Sequence, residues 1–236
     1  MHRRKIKEGI YNLLTLWKSQ LKKKIRGFYS DQHQLTSTTA VNRYPELFTE
    51  VEKIFRSKSI EEPSILSFGC STGEECFSLR EYFKGAKIIG VDINNRNLRK
   101  AIRKNNDARI KFLFSSSENI EKEGKYDLIF CLSVLCRWED TKNVTNCEKI
   151  YPFEKFEASV SELTSQLLVG GLLVVYNSNF RFEDTVVFDD FEIVETPSVR
   201  DSGFVNKFDS FNNLLTDRHK ACVYRKVKPE KVESSY

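Results

Sequence analysis

Glycine is scarce in this chain, ten residues in 236, and histidine scarcer still at three. The longest apolar stretches, such as Leu172–Tyr176, fall far short of the ~18–20 residues a membrane-crossing helix needs. No transmembrane helix is expected. The basic N-terminus alternates apolar with polar residues and runs into Lys22–Lys24 where a small-residue cleavage site would stand, so a secretory signal is not expected either. Six cysteines form no CxxC pair and no Cys/His spacing suited to zinc; no metal site is expected. Several of them sit inside apolar runs, as small hydrophobes in a reducing compartment do, which points to the cytoplasm. There is no internal repeat and no low-complexity segment.

What the chain does have is 40% hydrophobic and 30% charged residues, the balance of an ordinary globular domain with one sizeable core. Its net charge of +5 is unevenly placed. Residues 1–26 hold nine Lys/Arg and one Glu, a net of +8, leaving 29 basic against 32 acidic residues, a net of −3, for the remainder. Within that arm Ile6, Ile10, Leu13, Leu14, Trp17, Leu21 and Ile25 recur at steps of three and four, the pattern of an amphipathic helix. Such a helix packs on the body, grips an acidic partner or lies peripherally on an anionic membrane surface. An acidic body argues against nucleic acid as the partner.

A second helix is expected from Pro45 to Phe55, closed by a polar linker, so residues 1–62 divide as a helical segment from a catalytic domain over 63–236. From Ser64 strands and helices alternate. Strands are expected at Ser64–Phe68, Lys87–Asp92, Ile110–Phe114, Tyr126–Leu132 and Leu172–Tyr176, and helices at Cys76–Phe83, Asn95–Asn105 and Phe153–Leu168. Phe191–Glu195 and Ala221–Val227 add two more strands, the last with no helix before it. The expectation is an α/β fold: a doubly wound, Rossmann-like sheet of seven strands, mostly parallel with an antiparallel last strand.

Four glycines (Gly69, Gly73, Gly85, Gly90) bracket the first β-α-β unit, and Gly170-Gly171 reads as the turn before strand five. In a doubly wound sheet a ligand lies beyond the C-terminal ends of the strands. There the loop Gly69–Gly73 allows close backbone approach, and Asp92, 19 residues beyond Gly73 at the end of strand two, is placed for both hydroxyls of a ribose. The loop is not GxGxxG, and Glu74 and Glu75 at the helix start would repel a pyrophosphate. A cationic nucleoside fits instead, and S-adenosyl-L-methionine (SAM) has an adenosine, a sulfonium and an amino group.

Phe68-Gly69-Cys70-Ser71-Thr72-Gly73-Glu74-Glu75 followed by Ser78-Leu79 resembles the cofactor loop of CheR-type chemotaxis receptor methyltransferases. Tyr126–Cys131 with Val134-Leu135 is similar to that family's FDxIFCRNVL strand, and Thr38-Thr39 with Arg43–Phe48 to its helical T-x-F-F-R segment. The resemblance spans roughly residues 38–180. It implies a SAM-dependent methyltransferase in which Gly69, Cys70, Ser71 and Gly73 lie along the methionine part of the cofactor and Glu75 or Glu74 holds its amino group. Asp92 with Ile93 would hold the ribose, Ser116, Ser117 and Glu118 the adenine edge, and Cys131 and Leu132 would flank the site. Ser133, standing for the family's Asn, and Arg43 are implied as the catalytic positions.

The small β subdomain that binds a receptor tether in that family is absent, since only about 20 residues separate Asp92 from Phe112. Asn177-Ser178-Asn179 follow strand five where the family tends to GHSE. The expected acceptor is therefore unidentified, a protein carboxylate or a small molecule, with Trp138, Tyr176, Asn177, Asn179 and Arg181 as substrate-binding positions. No Asn/Asp-Pro-Pro-Tyr/Phe signature of amide or exocyclic amine methylation is present. No histidine is expected near the strand ends, because His2 and His33 lie in the N-terminal region and His219 in the tail. The competing readings are a SAM-binding module without transfer activity and, through the basic arm, an RNA methyltransferase.

Overall fold

The computed structural model describes residues 32–58 and 60–229, so the basic amphipathic segment 1–26 lies outside the described residues. Helix α1 (Pro45–Arg56) opens on a proline whose missing N–H costs nothing at that position, carries Glu46 in its first turn, and ends on Lys53 and Arg56, each matched to the helix dipole. Its apolar face, Leu47, Phe48, Val51 and Phe55, is buried against the sheet.

Seven strands form one sheet in the order β3-β2-β1-β4-β5-β7-β6. These are β1 (Ser64–Phe68), β2 (Lys87–Asp92), β3 (Ile110–Phe114), β4 (Tyr126–Leu132), β5 (Leu167–Tyr176), β6 (Phe191–Ile193) and β7 (Val223–Lys226). The first five run parallel, and β7 is antiparallel to both β5 and β6. The sheet expected from sequence is thus the sheet found. Alternation along each strand sends side chains to opposite faces. One face packs Ile65, Ile88, Leu128, Phe130 and Val174 against α1, α2 (Glu74–Tyr82) and α3 (Asn95–Lys104). The other packs Leu66, Ile89, Ile129, Leu173 and Val175 against α4 (Ser117–Lys122), α6 (Phe153–Ser165) and a cluster including Phe180, Phe182 and Phe208. Burial on both faces explains why the central strands are continuous apolar runs.

Three local expectations are corrected. Gly170 and Gly171 do not form a turn before β5; they lie inside it. The β4–β5 pairing steps from Tyr126↔Leu167 to Leu128↔Leu172, so the extra residues of β5 bulge out at the glycines. Gly170 has φ +80°, and a Cβ on Gly171 would sit 2.9 Å from Asp127 O. The helix before β5 ends at Ser165 accordingly. Within the polar insertion the short helix α5 (Trp138–Thr141) forms, and α4, not expected from sequence, is capped by Ser116, whose Oγ accepts from Asn119 N at 3.3 Å.

Strand order reverses between β1 and β4, and the crevice above their C-terminal ends is the natural ligand position. It is there that the chain's main cavity opens.

Candidate active site

A cavity of about 620 Å³ lies over the ends of β1, β2 and β4, well within the size range of small-molecule sites. Its floor is the loop after β1. Gly69 N and Cys70 N both donate to Val91 O, at 2.8 and 2.9 Å, which folds the loop back over β2. Gly69 adopts φ +80°, and a Cβ there would meet Val134 Cγ2 at 2.4 Å, so only glycine lets this loop pass the one after β4. Gly73, at φ +93°, caps α2.

Asp92 stands at the end of β2. Its Oδ2 accepts from Ser71 N at 2.9 Å and its Oδ1 from Asn94 N at 2.7 Å. Each oxygen keeps acceptor capacity toward the cavity, as a vicinal diol requires. Burial raises its pKa, against the pull of those two N–H groups.

The two adjacent acids have different fates. Glu74 turns away: Thr72 Oγ1 donates to it at 2.5 Å and Lys104 pairs with it at 2.6 Å, and these partners outweigh its burial to hold it below the ordinary carboxylate range. Glu75 faces the cavity. Burial pushes its carboxyl up to about 8, although the Ser67 hydroxyl and the Arg43 charge both oppose that rise. An ammonium group arriving beside Glu75 would restore its negative charge.

Beyond Glu75 the cavity reaches a polar cluster absent from the sequence expectations as a unit. Tyr44 OH and Ser133 Oγ lie 2.6 Å apart, and Asn177 Nδ2 donates to both, at 3.1 and 3.0 Å. Ser133 and Asn177 both have φ +55°, a strained conformation that aims the two side chains at one point. Asn177 is fixed in turn, since its Oδ1 accepts from Phe204 N at 2.8 Å. The Arg43 guanidinium sits 5.1 Å over the Tyr44 ring and donates to Thr38 O at 2.9 Å. Burial holds the Tyr44 phenol above its ordinary pKa.

The far wall is the segment from Gln32 to Ala40, and here one expectation is overturned. His33, placed by sequence far from the strand ends, lines the cavity. Its ring is nearly buried, with Nδ1 2.6 Å from Tyr151 OH and Nε2 3.1 Å from Ser159 Oγ. Burial, reinforced by Lys155 and Arg137, lowers its pKa to about 3, so it is neutral with both nitrogens engaged.

Residues 66–148, the stretch that builds this floor, match the family model described as a methyltransferase domain. This stretch is similar to a methyltransferase domain. No curated protein matches the chain. Among solved structures it is similar to CalS10, a SAM-bound amino pentose methyltransferase from Micromonospora echinaspora, at 17% identity over 55% of this chain and 48% of that one (TM-score 0.40). It is also similar to the N-methyltransferase NodS from Bradyrhizobium japonicum WM9, at 12% over 80% and 100% (0.49), and to DesVI from Streptomyces venezuelae, at 18% over 58% and 51% (0.39). The chain spans about half the length of CalS10 and DesVI.

The cofactor of a methyltransferase domain is SAM, and the residues present fit it. Asp92 offers a diol acceptor and Glu75 a carboxyl for an ammonium group. Ile93, Phe114 and Ile120, with the β3–α4 serines Ser115, Ser116 and Ser117, line the same cavity. Gly69, Cys70, Ser71, Leu132, Ser133 and Arg43 line it as well.

Other expected site residues are placed elsewhere. Cys131 is fully buried in the core beside Leu66 and Ile129, and Glu118 is exposed on α4. Asn179 is buried and spent on structure: Oδ1 accepts from Arg137 N, and Nδ2 donates to Thr141 Oγ1 and Asn206 O. Arg181 grips Asp184 through two bonds of 2.9 Å. Tyr176 packs at a tilt against Tyr44, with ring centroids 5.0 Å apart, and Trp138 lines a smaller recess beside the main cavity. Among the described residues no group of three His, Cys, Asp or Glu is placed to hold a metal ion, and no helix is long and apolar enough to cross a membrane.

Proposed function

We propose that the protein transfers a methyl group from SAM to a carboxylate oxygen on a small molecule or a protein side chain. When bound, SAM supplies a methyl group on a sulfonium, and transfer needs the acceptor oxygen, methyl carbon and sulfur in line in a dry pocket. A phenol, hydroxyl or amine acceptor would also need a base. The observation that carries this reading is the acceptor end of the cavity. It presents the Tyr44–Ser133–Asn177 cluster and the Arg43 guanidinium, while the neighbouring imidazole of His33 is committed to Tyr151 and Ser159. Hydroxyl donors, oriented by the buried Asn177 amide, beside a guanidinium suit an anionic oxygen.

The resemblance of the Gly69–Glu75 loop to that of the CheR-type methyltransferases, which esterify protein glutamates, supports the same chemistry. In this reading Asp92 and Glu75 orient the cofactor, Arg43 draws in the acceptor carboxylate, and Tyr44 and Ser133 set its angle of approach.

Methyl-labelled SAM incubated with the protein and a native cell extract tests this. Base-labile, volatile label is expected, and its loss with Asp92→Ala. Base-stable label on RNA or amines would overturn carboxylate methylation, and absence of SAM binding would overturn the whole reading.

A further inference from the structure

Beside the cofactor cavity lies a second recess of about 120 Å³, and the two share Gln34, Thr36, Thr38, Arg43 and Ser133 as common wall. Its remaining walls are chemically different. Trp138 and Phe204 meet edge to face, with ring centroids 5.5 Å apart at 88°, and Val205 and Cys136 close its base. Glu139 stands at the exposed rim. From the Ser133–Arg43 end to the Trp138–Phe204 end, the recess therefore runs from anion-binding to apolar.

Phe204 is the telling residue. It is 63% exposed, although its backbone is held in place by the bond from its N–H to Asn177 Oδ1. A large aromatic ring kept at a fixed position in solvent, against a tryptophan and over a recess, gains its burial when a ligand arrives. The volume is close to the roughly 150 Å³ of a cavity that accepts a benzene ring. The same Phe204–Asn177 bond ties this wall to the Tyr44–Ser133–Asn177 cluster.

We propose that this recess is the acceptor subsite and that the acceptor is a small aryl carboxylic acid. Its ring packs on the joined Trp138–Phe204 wall, and its carboxylate lies at Arg43 and Ser133. This rests on the carboxylate reading above and narrows it to one substrate class. One carboxylate oxygen forms a bond to the methyl carbon as the carbon–sulfur bond breaks, and the bonding pair passes to sulfur. The negative charge of the acceptor and the positive charge of the sulfonium cancel, leaving a neutral ester and a neutral thioether. No proton moves.

Benzoate and phenylacetate are the probes, titrated into the full chain loaded with S-adenosylhomocysteine and followed by ligand-observed NMR and calorimetry. Binding is expected, with protons of the ring in contact with indole and phenyl protons of the protein. Phe204→Ala, at an exposed position that leaves the core intact, is expected to weaken benzoate by roughly fivefold to tenfold with no change in S-adenosylhomocysteine affinity. Trp138→Phe, which keeps an aromatic wall, is expected to weaken it less. If S-adenosylhomocysteine binds and the aryl acids do not, the acceptor class is overturned while the cofactor reading stands. Base-labile label appearing on glutamate-containing protein instead of on aryl acids overturns it equally. If S-adenosylhomocysteine does not bind, the methyltransferase reading itself falls.

Discussion

Ser67 Oγ donates to Glu75 Oε1 at 2.7 Å, from near the C-terminal end of β1 to the first turn of α2, and this is the one hydrogen bond the Glu75 carboxyl makes among the described residues. A carboxyl so enclosed keeps its proton up to about 8. Binding the ammonium group of SAM favours the ionised form, so at pH 7 binding is expected to release close to one proton. Calorimetry in buffers of different ionisation enthalpy measures that number directly. SAM affinity should then rise with pH until about 8 and level off. Glu75→Gln removes the proton release and weakens SAM on the order of 10- to 100-fold, the value of a charged hydrogen bond.

Gly69 and Gly124 separate steric from conformational demand. Both have positive φ, +80° and +100°, yet a Cβ on Gly69 runs into Val134, and one on Gly124 meets nothing within 4 Å. Gly124→Ala is expected to cost about 1–2 kcal/mol of stability, the left-handed penalty alone. Gly69→Ala adds a clash with the loop after β4, costing about 1–3 kcal/mol more, and lowers SAM affinity as well. Denaturant unfolding with and without SAM distinguishes the two variants.

The sheet was legible because each strand and turn is written in a few adjacent residues: the Ser64–Phe68 run, the Gly69–Gly73 loop, the acid closing Lys87–Asp92. The site was legible where it belongs to those loops. It was not legible where it is assembled across the chain. His33 meets Tyr151 and Ser159 more than a hundred residues away, and nothing local in Gln32–Gln34 announces it. Tyr44, Ser133 and Asn177 come from the segment before α1, the end of β4 and the end of β5, and only the sheet order brings them together. Glu74 and Glu75 are indistinguishable by type. Helix rotation decides which one meets Lys104 and which the cavity. Arg181, conspicuous in sequence as an anion binder, is taken by Asp184 three residues on. Ser133 and Asn177 were each expected at the site singly, since both follow the C-terminal end of a central parallel strand, where such sheets bind ligands; Tyr44 was not.

The Tyr44–Ser133 pair predicts a split between binding and transfer. With the acceptor placed as proposed, at Arg43 and Ser133, Tyr44→Phe and Ser133→Ala should leave SAM affinity within about twofold while lowering kcat roughly tenfold each through loss of alignment. Because the hydroxyls touch at 2.6 Å and share Asn177, their effects should not add. A double-mutant cycle on kcat, with SAM affinity measured alongside, tests this. Additive losses would place the two hydroxyls in independent roles.

Two buried groups give the SAM-free protein opposing pH dependences. His33 has an ordinary value of 6.5 and about 3 in the fold, so below 6.5 the unfolded chain binds a proton that the folded one refuses. Its contribution to stability is full above 6.5 and is lost as pH falls toward 3. Glu75 has an ordinary value of 4.5 and about 8 in the fold, so the folded chain binds the extra proton. Its contribution is full below 4.5 and is lost as pH rises through 8. Between 4.5 and 6.5 the two slopes offset each other. Stability is therefore expected to climb up to about pH 4.5, stay nearly flat to 6.5, and decline toward 8. Denaturant unfolding at stepped pH reads the profile. His33→Gln should flatten the acid limb and Glu75→Gln the alkaline one. Saturating SAM should also remove the alkaline decline, because the ionised Glu75 then has a partner in the folded state.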